Sequence, residues 1–205
     1  MRTTPTAAGL RARKKLETRR ALENAALQLF LDKGYDDVTT EEIAEAAGVS
    51  SRTFFRYFAS KEEVAILPWL EVAEHLESAL AQRPVTEPLL ESLAGAMLDT
   101  AEVVASDPPQ LLQRVELLRA TPALVTEVVR LVENMRAVLI RYAARRLGVD
   151  PKRDLRASVA AAWAIAGLMA ARDVWLYGGP DRELRPLMEE AYRLLSGNLA
   201  AVLAR

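Results

Sequence analysis

Ser51, Arg52, Phe55 and Arg56 fall close together, and on a helix they share one side. The chemistry they offer is recognition. A guanidinium such as Arg52 grips guanine through O6 and N7, hydroxyls donate to phosphate, and an apolar ring meets a thymine methyl. Thr53 and Tyr57, four apart, flank that side. Phe54 and Phe58, also four apart, take the opposite side and supply an anchor. A short helix with aromatics beneath and donors above suits a DNA major groove. The inventory for catalysis is poor by contrast. The chain has one histidine, His75, and no cysteine, so a thiolate zinc site is excluded and a histidine-containing triad would have to use His75. No G-x-S-x-G turn and no glycine-rich phosphate loop is present. His75, beside Glu71 and Val72, reads as a half-exposed helix residue. The chain is therefore read as non-enzymatic, with no cofactor and no metal.

The charge distribution points the same way. The net charge of −1 divides into 11 Lys/Arg against 8 Asp/Glu over residues 1–61 and 16 against 20 over the remainder. Arg2, Arg11, Arg13, Lys14, Lys15, Arg19 and Arg20 crowd the first 20 residues, with Glu17 as the one acid there. A basic arm on an otherwise acidic chain predicts a local polyanion contact. The absence of cysteine is compatible with the cytoplasm, and no apolar leader follows the basic start. The most apolar stretch, between Arg156 and Arg172, is shorter than the ~20 residues of a membrane span and reads as a buried helix, so no membrane partner is expected.

The elements that position the recognition face are helices. Leu22, Ala25, Ala26, Leu29 and Phe30 recur at three- and four-residue spacing from about Arg13, and Gly34 stops that helix. Thr39 with Glu42 is a capping box for a short second helix, with Ile43, Ala44 and Ala47 inward and Gly48 at its end. Val49 plugs the turn, Ser50 caps a third helix over Ser51 to Phe58, and Ser60 with Glu63 opens a fourth at Lys61. Helix two, turn and helix three make a helix-turn-helix. The fourth helix should run to about Arg83 with a kink at Pro68, which cannot donate to the carbonyl of Val64. Further helices are expected over roughly 87–106, 108–119, 122–147, 154–177 and 183–204, with no strand.

The run from Thr39 to Val64, TTEEIAEAAGVSSRTFFRYFASKEEV, strongly resembles the DNA-binding signature of TetR/AcrR-type transcriptional regulators. Helix length, turn, aromatic ending and the Ser-Lys-Glu start of helix four all occur in register. The resemblance implies a phosphate contact for Thr40, base-edge and phosphate contacts for Ser51, Arg52 and Thr53, and further backbone contacts for Tyr57 and Lys61. Phe55 stands where the family often has tyrosine, which leaves an apolar contact in place of a hydroxyl. Arg56 reaches phosphate or is an exposed helix charge.

The implied fold is all-α: a flexible basic arm over 1–12, a helix-turn-helix DNA-binding domain over 13–60, and a larger helical ligand-binding and dimerisation domain over 61–205. The 154–177 helix is apolar nearly all round, with Ala160, Ala161, Ala162, Ala164, Ala166, Gly167 and Ala170 as small contacts. The last helix carries a stripe through Leu184, Met188, Ala191, Leu195, Asn198 and Val202, with Leu187, Leu194 and Leu199 beside it. These two helices are expected to build a four-helix homodimer interface. A dimer would set two reading helices about one DNA turn apart, ~34–36 Å, or more widely, on a palindromic operator. Trp69, Met97, Leu112, Met135, Tyr142, Trp163 and Met169 are candidates to line a site for a small, largely apolar effector. Arg119, Arg172 and Asp173 are candidates to orient a polar head group, or the latter two to pair. The expected function is that of a dimeric repressor released from its operator when effector shifts the orientation of the fourth helix.

Overall fold

The computed structural model describes residues 7–105, 107–178 and 183–196; the expected stripe positions Asn198, Leu199 and Val202 and the stop at Gly179-Pro180 lie outside the described residues. The order is α1 (Ala7–Lys33), α2 (Thr40–Ala46), α3 (Ser51–Phe54), α4 (Lys61–Ala65), α5 (Leu67–Ala81), α6 (Leu89–Val104), α7 (Pro108–Ala120), α8 (Pro122–Leu147), α9 (Arg156–Tyr177) and α10 (Leu184–Ser196). The chain divides into two compact units. The first comprises Met1–Leu67 with Gln113–Val125, and the second Pro68–Leu112 with Thr126–Arg205.

In the first unit, α1 starts at Ala7, so the second half of the expected arm is helical backbone. It buries Leu22, Ala26, Leu27 and Phe30, one face at helical spacing. Gly34, at φ 86, ends it. Ile43, Ala44, Phe54, Phe58 and Val64 complete the core that α2, α3 and α4 share with it.

Two boundaries differ from the sequence reading. The third helix ends at Phe54 instead of Phe58, because the chain tightens. The N–H of Arg56 donates to Thr53 at 3.2 Å and that of Tyr57 to Phe54 at 2.8 Å, both three residues back. The expected fourth helix is two helices. It breaks at Ile66 (φ −98, ψ 14). Pro68 therefore falls in the first turn of α5, a position that tolerates proline, but it has no N–H to offer the Val64 carbonyl four residues back. The break leaves the last carbonyls of α4 without helical donors. Two of them are taken by Arg114 of α7, whose Nη1 donates to the carbonyls of Val64 at 2.6 Å and Ala65 at 3.2 Å. Arg114 is only 2% exposed.

The second unit has its own apolar core. Leu76, Leu80, Leu93, Met97, Leu139, Ala160, Ala164 and Met188 lie at its centre, with α9 packed on α10 and α6. Small residues let α9 approach closely. Gly167 lies under the ring of Tyr192, where a Cβ would stand 2.1 Å from Cε1. The ring also sits 4.7 Å from that of Trp163, and the Tyr192 hydroxyl donates to the carbonyl of Ala164 at 2.8 Å. Burial pushes that phenol well above its ordinary value.

A polar knot closes the α5–α6 end. Arg146 donates to the Ser92 hydroxyl at 3.0 Å, to the Tyr142 hydroxyl at 2.7 Å, and to the Glu87 carbonyl. Arg83 pairs with the Glu87 carboxylate, and Gly95 leaves room for its guanidinium. By length and composition α9 would pass for a membrane span, as the core helix of a globular unit also does. Arg172 and Asp173, paired with each other at 2.7 Å, interrupt the apolar run.

Candidate nucleic-acid interface

The helix-turn-helix is set by local hydrogen bonds. Thr39 accepts from the Glu42 N–H at 3.2 Å, and the Glu42 carboxylate accepts from the Thr39 N–H at 2.9 Å. Glu42 also takes the Lys33 ammonium at 2.8 Å, which ties the end of α1 to the start of α2. The Lys33 bond, followed by those from Thr39, draws the Glu42 carboxyl down to about 2. At the other end of α2, the Val49 N–H donates to Ala44 and the Gly48 N–H to Glu45, both at 2.9 Å, with Gly48 at φ 69. This is the paired-bond helix ending that glycine makes possible. It turns the chain sharply into α3.

Ser50 caps α3 by accepting from the Thr53 N–H at 3.2 Å, and its hydroxyl meets that of Thr53 at 3.0 Å. Phe54 and Phe58 are both buried, their rings 5.9 Å apart. The other side is open. Arg52 and Arg56 are exposed, Ser51, Thr53 and Tyr57 are half-buried, and Phe55 is 54% exposed despite being a large ring. Phe55 stands edge-on to Phe54 at 5.3 Å, which fixes its direction. Arg56 lies 5.2 Å over the Tyr57 ring. Thr40, half-buried at the start of α2, shares its hydroxyl with Glu41 at 3.0 Å. Six expected contact residues are thus gathered on α3 and the turn that follows it, and Thr40 stands at the first residue of α2.

Lys61 is different. Its Nζ donates to the carbonyls of Tyr35 at 2.8 Å, Asp36 at 3.2 Å and Val38 at 2.8 Å, and lies 4.5 Å over the Tyr35 ring. An ammonium has three protons. All three are directed at the α1–α2 loop, so the side chain braces the module from within.

The expected effector residues divide. Met97, Met135, Tyr142 and Trp163 are buried in the apolar cluster of the second unit. The Tyr142 hydroxyl is taken by Arg146, and Trp163 is stacked on Tyr192. Trp69, Leu112 and Met169 are half-buried and stand outside that cluster. Arg119 does not face an interior. It is exposed, and it pairs with Glu116 one turn back at 3.4 Å. A head-group contact from Arg119 is thereby corrected to a surface ion pair, because its helix turns that position outward. Arg114, which the sequence reading passed over, is the buried arginine. The one signal for it was indirect: Pro68 removes a donor from Val64, so some other group has to supply it.

Comparison with known proteins agrees with this geometry. The family model for bacterial regulatory proteins of the tetR family matches residues 23–66, and the model for the MftR C-terminal domain matches residues 87–200. The HTH-type transcriptional regulator TcmR of Streptomyces glaucescens is 39% identical over 189 residues, 89% of this chain and 84% of that protein. FadR of Thermus thermophilus, a transcriptional repressor solved in complex with lauroyl-CoA, aligns with a TM-score of 0.51 at 26% identity, covering 86% of this chain and 92% of its own. FadR of Bacillus subtilis, solved with stearoyl-CoA, has the same fold, with a TM-score of 0.60 at 20% identity over 87% of this chain and 97% of its own.

Proposed function

Because the chain belongs to the tetR family of bacterial regulatory proteins and is a DNA-binding transcriptional regulator, we propose that it is a cytoplasmic, dimeric repressor that leaves a palindromic operator when a small, largely apolar effector binds its second unit. The observation that carries the DNA half is the sidedness of α3. Phe54 and Phe58 are spent on the core, while Arg52 on the Ser50-capped helix and Phe55 and Arg56 in the turn after it are exposed. Arg52 reads a base edge, with Ser51 and Thr53 beside it. Thr40 meets phosphate at the first residue of α2, and Arg56 and Tyr57 donate to phosphates from the turn that follows α3. Phe55 contributes apolar contact in the groove. Lys61 is assigned to bracing the module, because its protons are committed to Tyr35, Asp36 and Val38.

The dimer reading rests on what α9 and α10 leave uncovered. Val159, Val174 and Tyr177 are 37%, 45% and 49% exposed, and Ala162, Ala166 and Ala170 are exposed between them at three- and four-residue steps. Leu194 and Leu195 of α10 are exposed as well. Apolar stripes of this length call for a partner helix pair. The effector reading rests on the apolar cluster holding Met97, Met135 and Trp163, and the two FadR complexes make an acyl thioester the first class to try.

Selection of duplexes from a random pool by the purified protein tests the reading. A recovered inverted repeat, sedimentation as a dimer, and weakened binding on addition of lauroyl-CoA would support it. Recovery of no consensus would overturn the operator assignment. Arg52→Ala should relax preference at one base position per half-site, at a cost of about 1–3 kcal/mol. A gel-shift series with single-base changes measures this.

A further inference from the structure

We propose that Arg114 is a positioning residue for DNA binding: it stands in for the backbone donor that Pro68 lacks and thereby holds the end of α4 in place. The DNA-binding reading is its premise. An uninterrupted helix would satisfy the Val64 carbonyl with the N–H of residue 68, but proline has none. The carbonyls of Val64 and Ala65 sit in the core of the first unit, and their residues are 0% and 2% exposed, so water is a poor substitute. Arg114 reaches across about 50 positions of sequence to fill both. A charged donor on a buried carbonyl is stronger than an amide donor, and a cation suits the carbonyl end of a helix.

The location gives this bond a consequence for DNA. α4 is five residues long and could not hold itself in water. Its first residue, Lys61, is stapled to the α1–α2 loop, and its last two carbonyls are stapled to Arg114. The strut is therefore held by a cation at each end. Immediately before it come Phe58, the buried anchor of the reading segment, and the cap Ser60. A reading face placed to within about half an ångström needs such support behind it. Releasing one end of α4 loosens the platform without touching any residue that faces DNA.

The test is a double-mutant cycle on the full chain, using a duplex that the wild-type protein selects from a random pool. Arg114→Met should weaken binding about tenfold with Pro68 in place, the loss expected for orphaning a buried carbonyl. In the Pro68→Ala background the new N–H caps Val64, and the same change should then cost less than about threefold. Arg114→Lys, which keeps a donor, should recover most of the affinity. A role confined to stability would lower the melting temperature equally in both backgrounds and leave the affinity of the folded protein unchanged. Wild-type affinity in Arg114→Met, or an equal loss with Pro68 and with Ala at 68, overturns the proposal. If Arg114→Met does not fold, Arg114→Gln, too short to reach both carbonyls, reads the same cycle in the two backgrounds, and an equal loss in both again overturns the proposal. Failure of the wild-type protein to select any duplex is a separate result. It would overturn the premise before any variant is compared.

Discussion

In the first unit, Thr39, Ser50 and Ser60 each turn a side-chain oxygen onto a backbone N–H at the start of a helix. In the second, Pro88 precedes α6 with no such bond, while Asp107 and Asp154 each accept one backbone N–H at the starts of α7 and α9. The difference follows from helix length. α2, α3 and α4 have seven, four and five residues, too few to repay the cost of nucleation by themselves. Each needs its orphan N–H groups satisfied locally. α6 and α9 have 16 and 22 residues and are held by buried faces, so α6 can start with no side-chain cap and α9 with one bond, from Asp154. The first unit leans on short-range hydrogen bonds for every short helix, while the second leans chiefly on long-range apolar fit.

This contrast can be broken from either side. All three tryptophans, Trp69, Trp163 and Trp175, belong to the second unit, so their fluorescence follows that unit while far-UV circular dichroism follows both. The largest effect is expected at Gly167→Ala, where the new methyl meets the Tyr192 ring. It should destabilise the second unit by about 1–3 kcal/mol, read as an earlier fluorescence transition in urea. No shift would mean that α9 and α10 are not held by fit. Ser50→Ala comes next, at about 1 kcal/mol. It should lower the stability of the first unit and weaken DNA binding while the fluorescence transition stays in place.

A smaller effect is expected at Glu42, whose bonds to Lys33 and Thr39 are open to solvent screening. Its carboxyl is depressed from 4.5 to about 2 in the folded state. The stabilisation it gives is therefore complete above about 4.5 and is lost as the pH falls from there toward about 2. The difference between the wild-type chain and Glu42→Gln should shrink over that window in acid unfolding followed by circular dichroism. A difference that stays constant through it would remove Glu42 from the ledger of local bonds. Pro88→Ala should do least, within about 0.5 kcal/mol, since that helix start has no side-chain bond to lose. A large cost there would blur the contrast.

The same division decides how much could be read in advance. Capping signals act over three residues, so Thr39 with Glu42, Gly48, and Ser50 gave α2, its turn and the start of α3 directly. The sidedness of Phe54 and Phe58 against Phe55 followed from helical spacing and holds. What escaped acts over long separations. Lys61 bonds carbonyls 23 to 26 positions earlier, and no local pattern distinguishes it from a surface lysine. Pro68 promised a bend, and the helix breaks just before it, at Ile66, but the partner of the freed carbonyls, Arg114, lies about 50 positions away in sequence. The sequence reading singles out Arg119 and not Arg114, five positions earlier on the same helix; only the rotation of α7 decides which of the two is buried. The small residues of α9 announced close packing but not which side chain would use the space.

That last point has a mechanical side. The Tyr192 ring rests in the notch at Gly167, flanked by Trp163 and fastened by its hydroxyl to Ala164. A ring seated in a notch works as a key in a keyway. Sliding α10 along α9 would carry the ring out of that notch and break the hydroxyl bond to Ala164 with it.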